Sequence, residues 1–268
     1  MTTLSSPATP AFQRYIGIDY SGAKTSTTRL RGLRVYVGIA AAAPVELQPR
    51  GHQRHLSRRG IAEWLVQQLL DELPTIVGID HSFCFPLRYF ETHDLRPNWP
   101  EFLDDFQRHW PTDSDDVSVE AIRQGKCGHG SARQGDARWR RVCEQRSRAK
   151  SVFHFDVPGS VAKSTHAGIP WLRYLRHHLG SRVHFWPFDG WSAPAGRSVI
   201  AEAYPKLCAD RYPRADRTLD QHDAYAVACW LRDADRNDRL VAAFEPDLPP
   251  NERALARIEG WILGVPGQ

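Results

Sequence analysis

The chain has 268 residues, 41% hydrophobic and 25% charged, with 35 Lys or Arg against 31 Asp or Glu for a formal charge of +4. These are ordinary globular values, which exclude collagen-like and low-complexity disordered classes, and a chain of this length has core enough for one large domain or two small ones. The mildly basic balance permits a polyanionic partner, and five scattered cysteines without a Cys-x-x-Cys point to reduced thiols in a cytoplasmic protein.

Met1–Phe12 carries Ser, Thr and Pro and no apolar run, so residues 1–13 read as a disordered lead and residues 14–268 as a single domain. No stretch approaches about 18 uninterrupted apolar residues, so no membrane span is expected. Tyr15–Ile16–Gly17–Ile18–Asp19 reads as a buried strand ending in a carboxylate, with Tyr20–Ser21–Gly22 as a tight turn. Leu33–Ala43 is a second strand, and Val45–Leu47 begins a third, antiparallel to its neighbour. Residues 48–59 are a basic loop. Ile61, Trp64, Leu65, Gln68, Leu69 and Glu72 recur at three-four spacing, which predicts an amphipathic helix over Ile61–Leu73. Thr75–Asp80 then repeats the first pattern: Gly78–Ile79–Asp80 mirrors Gly17–Ile18–Asp19. The element order predicts an α/β fold whose mixed sheet sets the two Asp-bearing strands side by side and parallel.

Trp99–His109 reads as a helix. Arg123–Lys150 carries nine Arg or Lys against two Asp or Glu, with Trp139 embedded among them. Such a block fits a phosphate-binding flank, through Arg138, Arg140, Arg141, Arg146, Arg148 and Lys150, and fits equally a solvated helix face. Ser160, Ser164, Thr165 and Gly168 form a turn ahead of a helix at Trp171–Leu179, where hydroxyls suit a phosphate oxygen or plain capping. Arg182–Phe188 and Ser198–Tyr204 are further strands, the second carrying Glu202. Asp220–Asp233 is a strong helix, and Glu252–Ile262 a terminal one.

Five carboxylates fall at element ends or among apolar neighbours: Asp19, Asp80, Glu202, Asp220 and Asp223. Asp220 and Asp223 share one helix face, and Ala224, Ala226 and Ala228 let that helix lie close against a sheet. If it packs beside the first strand, the acids converge into an oxygen-rich site that selects Mg²⁺ or Mn²⁺. Asp19 is then the natural bridging ligand, with Asp80 and Asp223 completing the shells and Asp220 or Glu202 as outer or alternate ligands. The plainer readings are a helix-dipole role for Asp220 and Asp223 and a buried arginine partner for Glu202.

Ile16–Asp19, Ile79–Asp80 and Asp220–Gln221–His222–Asp223–Ala224–Tyr225–Ala226 together resemble the RNase H-like superfamily, and the last segment is similar to the final metal-binding helix of RuvC-type resolvases. Asp80 with Pro86, Glu202–Ala203–Tyr204–Pro205, Ala149–Phe153 and Trp186–Phe188 further resemble the predicted RNase H-like nucleases grouped as DUF family 429. The resemblance spans Tyr15 to Leu231. It implies a sheet of about five main strands flanked by helices, with a helical insertion at about 88–180. It also implies Mg²⁺-dependent hydrolysis of RNA or DNA by Asp19, Asp80, Glu202 and Asp223, metal held by Asp19, Asp80, Asp220 and Asp223, and backbone contacts from Arg141, Lys150, Ser160 and Ser164. One departure stands out: RNase H proper expects a Glu in the first crossover helix, where only Glu63 is available. Two other readings compete. The repeated Gly-Ile-Asp-x-Ser motif superficially suggests the two phosphate loops of the actin-like ATPases and kinases, and a catalytically silent nucleic-acid-binding module would keep the same fold.

Overall fold

In the computed structural model, which describes residues 10–49, 51 and 53–267, the two Gly-Ile-Asp segments are neighbouring parallel strands. They are β1 (Arg14–Asp19) and β4 (Thr75–Asp80), and they pair in register from Arg14 opposite Thr75 to Asp19 opposite Asp80. β2 (Arg34–Ile39) runs antiparallel to β1, and the two-residue β3 (Val45–Glu46) extends that edge. On the other side β6 (Ser198–Glu202) pairs parallel with β4, and β5 (Val183–Phe185) pairs parallel with β6. The mixed sheet therefore has six strands in the order β3-β2-β1-β4-β6-β5, one more than the five main strands the resemblance implies.

The period of two sorts side chains between two helical layers. Ile16, Ile18, Val77, Ile79 and Ile200 face a core shared with α1 (Arg58–Leu69), α3 (Trp99–His109) and α6 (Ala162–Leu179). Tyr15, Ile76, Val199 and Ala201 face the opposite core, with α7 (Leu219–Arg236) and the C-terminal segment beyond α8 (Leu240–Phe244) and α9 (Pro250–Glu259). The stretch between β4 and β5 also holds α2 (Leu87–Thr92), α4 (Val119–Arg123) and α5 (Val142–Arg146). Its last helix, α6, packs against α1 and α3 and so covers the sheet itself.

α6 begins nine residues earlier than Trp171, at Ala162, whose N–H donates to Ser160 Oγ at 3.1 Å. Ser164, Thr165 and Gly168 consequently sit inside the helix, not in a turn before it. Residues 1–9 of the expected lead lie outside the described residues. The rest of it is tied down: Phe12 is buried, and the Ala11 and Phe12 N–H groups donate to the Asp235 carboxylate on α7 at 3.0 and 2.9 Å. Among the described residues no helix is long and apolar enough to cross a membrane.

Candidate functional site

Alternation along β1 puts Asp19 on the same face as Gly17, and along β4 Asp80 on the same face as Gly78; that face lies under α7. Gly17 and Gly78 are register partners. A Cβ on Gly17 would stand 2.2 Å from the Ala224 carbonyl oxygen and 2.6 Å from the Ala228 nitrogen, and one on Gly78 would stand 2.7 Å from Val227 Cγ1. The helix backbone thus rests directly on Gly17 and the Val227 side chain on Gly78, with Ala224 and Ala228 fully buried. This close approach carries the first turn of α7, with Asp220 and Asp223, to the ends of β1 and β4.

That first turn is held in place. Thr218 caps it in a reciprocal capping box with Gln221, whose Nε2 donates to Glu46 Oε2 at 2.8 Å. Glu46 also binds Arg34 at 2.9 Å, so Arg34, the cross-strand partner of Asp19, is committed to β3.

Asp19, Asp80, Asp220 and Asp223 all line one open cleft of about 770 Å³. None of the four makes an ion pair or a side-chain hydrogen bond among the described residues, which is costly for half-buried carboxylates at neutral pH. Burial, aggravated by Asp80, Asp220 and Asp223, raises the Asp19 pKa to about 9. Asp80 is raised to about 8, by burial first and then by Asp223 and Glu202. Asp223 is also raised, chiefly by burial. Among the described residues no three His, Cys, Asp or Glu side chains form a ready-made metal cage. The donor set is nevertheless all-oxygen and uncompensated, and Mg²⁺ is ordinarily held by one or two carboxylates, several waters and substrate phosphates, not by an all-protein cage.

Glu202 departs from the expected convergence. It has the parity of Ile200, not of Ala201, so it faces away from α7. Its two oxygens accept from Arg141 Nη2 and Nη1 at 2.6 and 2.7 Å, and it also accepts the Phe83 N–H at 3.2 Å. Arg141 is likewise corrected: it is 0% exposed and cannot reach a nucleic-acid backbone. Its remaining donors go to Glu144 Oε1 at 2.9 Å and Ser82 Oγ at 2.8 Å, so this buried network braces the turn that follows Asp80.

Ser160 and Ser164 do line the cleft, at the N-terminus of α6, though Ser164 Oγ donates to the Val161 carbonyl at 2.9 Å. Lys150 sits beyond the cleft, its Nζ on the Pro158 carbonyl. Within the basic block Arg138 pairs with Asp136 and Arg146 with Glu252, whereas Arg140 and Arg148 are exposed. Glu63 is exposed on α1 and lines a separate groove, so it does not supply the missing helix acid. His222 is turned inward, its Nε2 donating to the Ala209 carbonyl at 3.1 Å.

Three cleft residues carry no motif: Lys24, Lys163 and Lys206 place cations around the acidic floor. Lys163 stands 3.5 Å from Glu120, and the other two make no ion pair among the described residues. Arg58 also escapes a linear reading. Fully buried at the start of α1, it donates to the carbonyls of Ser21, Ala23 and Lys24 at 3.0, 2.7 and 3.0 Å and so shapes the turn after Asp19. No protein-family model, curated protein or solved structure matches the chain.

Proposed function

We propose that the chain is a metal-dependent nuclease of the RNase H-like superfamily, similar to the nucleases of DUF family 429, acting on RNA or DNA in the cytoplasm. The observation that carries this reading is the set of four unneutralised carboxylates, Asp19, Asp80, Asp220 and Asp223, lining one cleft. Asp19 and Asp80, raised to about 9 and about 8, hold protons until a cation displaces them, and Mg²⁺ or Mn²⁺ is the cation this oxygen set selects. Asp19 and Asp80 would hold it together with Asp223, and Asp220 would stand as the outer acid. When bound, the metal supplies Lewis-acid activation of a water and stabilises the leaving oxygen of a phosphodiester.

The chain's own residues supply substrate placement. Lys24 and Lys206 attract the backbone into the cleft, and the N-terminal turn of α6, where Val161 and Lys163 line the cleft, offers backbone amides to a phosphate oxygen. Arg141 and Glu202 act from behind by fixing the Ser82–Phe83 turn, and with it the end of β4. The actin-like alternative requires a second domain to close over a nucleotide, and the described residues contain a single sheet.

The test is cleavage of labelled single- and double-stranded RNA and DNA in Mg²⁺ and in EDTA. Mg²⁺-dependent cleavage that falls at least about a hundredfold in Asp19→Asn is the expected result. Equal cleavage by wild type and Asp19→Asn would overturn the reading.

A further inference from the structure

A second cavity, of about 300 Å³, opens beside the cleft, and α4 borders both: Val119 and Glu120 line the cleft, Ile122 and Arg123 the cavity. Its walls are aromatic. Trp110 and Phe155 lie nearly parallel, 11° apart with centroids at 6.3 Å, and the His166 ring stands at 4.6 Å from each. Phe153 closes another side, and Arg123 lies over the Phe155 ring at 4.5 Å.

One polar atom at the wall of this aromatic box lacks a partner. His166 is 1% exposed, with Nδ1 at 2.9 Å from the Ala162 carbonyl. A carbonyl only accepts, so the proton sits on Nδ1 and the neutral ring presents Nε2 as an acceptor, with no partner among the described residues. Burial holds the ring neutral by lowering its pKa to about 3. A core made only for packing has no use for an unmet acceptor at the wall of a cavity.

From this arrangement we infer that the cavity binds a nucleobase, stacked on the aromatic wall, with a donor on its edge facing His166 Nε2. Every base carries a donor on its pairing edge, so the site is base-tolerant, as stacking platforms for single strands are. The inference rests on the nuclease reading and extends it: a strand whose backbone lies in the acidic cleft delivers one unstacked base across α4, which makes the substrate single-stranded at that point.

The test measures binding in EDTA, where nothing is cut, by fluorescence anisotropy of a labelled single-stranded oligonucleotide and of an abasic strand of equal length. Natural bases should tighten binding about tenfold. Ser131→Phe, which fills the cavity from its exposed rim, and His166→Phe, which keeps an aromatic ring and removes the Nε2 acceptor, should each erase most of that gain and leave the abasic strand unchanged. Circular dichroism and thermal melting confirm that both variants fold. Equal affinity for the two strands, or variants that keep the difference, would overturn the inference even if Mg²⁺-dependent cleavage is found. A parallel titration with mononucleotides separates sources. Saturable binding lost in Ser131→Phe, without oligonucleotide binding, supports the base site and assigns it to free nucleotides, at the expense of the nuclease reading.

Discussion

Asp19 and Asp80 are lateral neighbours in register at the ends of two parallel strands, both on the face that α7 covers. Burial first, and the neighbouring carboxylates after it, raises both pKa values, to about 9 for Asp19 and about 8 for Asp80, against an ordinary carboxylate value of 3.8. Between those limits the folded protein binds more protons than the unfolded chain, so the stability slope with pH is negative. In EDTA the contribution is full below about pH 4 and is lost as pH rises through about 8 to 9. The melting temperature should therefore fall from pH 5 to pH 9, and Asp19→Asn should flatten that profile. A wild-type profile as flat as that of the variant would refute the coupling.

The same pair makes cation binding a stability measurement. Mg²⁺ that binds only the folded chain raises the melting temperature by mass action, and more strongly at pH 8 than at pH 5, where protons compete for the carboxylates. Asp19→Asn with Asp80→Asn should abolish the rise. A shift that survives the double substitution would place the cation elsewhere.

Gly17 and Gly78 let α7 touch the sheet, but they are not equivalent. An added methyl at Gly17 meets helix backbone, whereas at Gly78 it meets the Val227 side chain first. Gly17→Ala should cost about 3 kcal/mol or more in urea unfolding, and Gly78→Ala about 1–2 kcal/mol. Equal losses would mean that the helix slides as a body to make room.

Arg141 should matter for folding and not for backbone contact. Removing it strands Glu202 and Glu144 without a cation in the interior, so Arg141→Met should destabilise by about 3–5 kcal/mol. Adding Glu202→Gln should recover part of the loss. The salt dependence of oligonucleotide binding should not change. Lys24→Ala and Lys206→Ala should do the reverse, each lowering the salt slope by about 1 with stability within about 0.5 kcal/mol of wild type.

Much of this architecture was legible because it rests on repetition and periodicity. The Gly-Ile-Asp repeat announced two like strands, and parallel pairing in register followed from the helix between them. The alanines of α7 announced a close approach, which Gly17 and Gly78 complete from the sheet side. Glu202 was misplaced because an acid in an apolar strand shows no facing until the parity of Ile200 and Ala201 is known. Arg141 was misplaced because an arginine in a basic run reads the same whether it meets water or, as here, Glu202. The aromatic cavity left no trace at all: Trp110, Phe155 and His166 are scattered along the chain and meet only through the packing of α3 and α6.

The Arg58 clamp gives the cleft one immovable bank. Three carbonyls of the Ser21–Lys24 turn hang from a single guanidinium whose own helix is locked into the sheet's cover. Across the gap, Pro158 and Gly159 are exposed, and among the described residues the Pro158 carbonyl is held by Lys150 Nζ, not by a buried guanidinium. Accommodation of differently shaped guests is therefore lopsided: the far shore yields and the acid-bearing shore keeps its alignment.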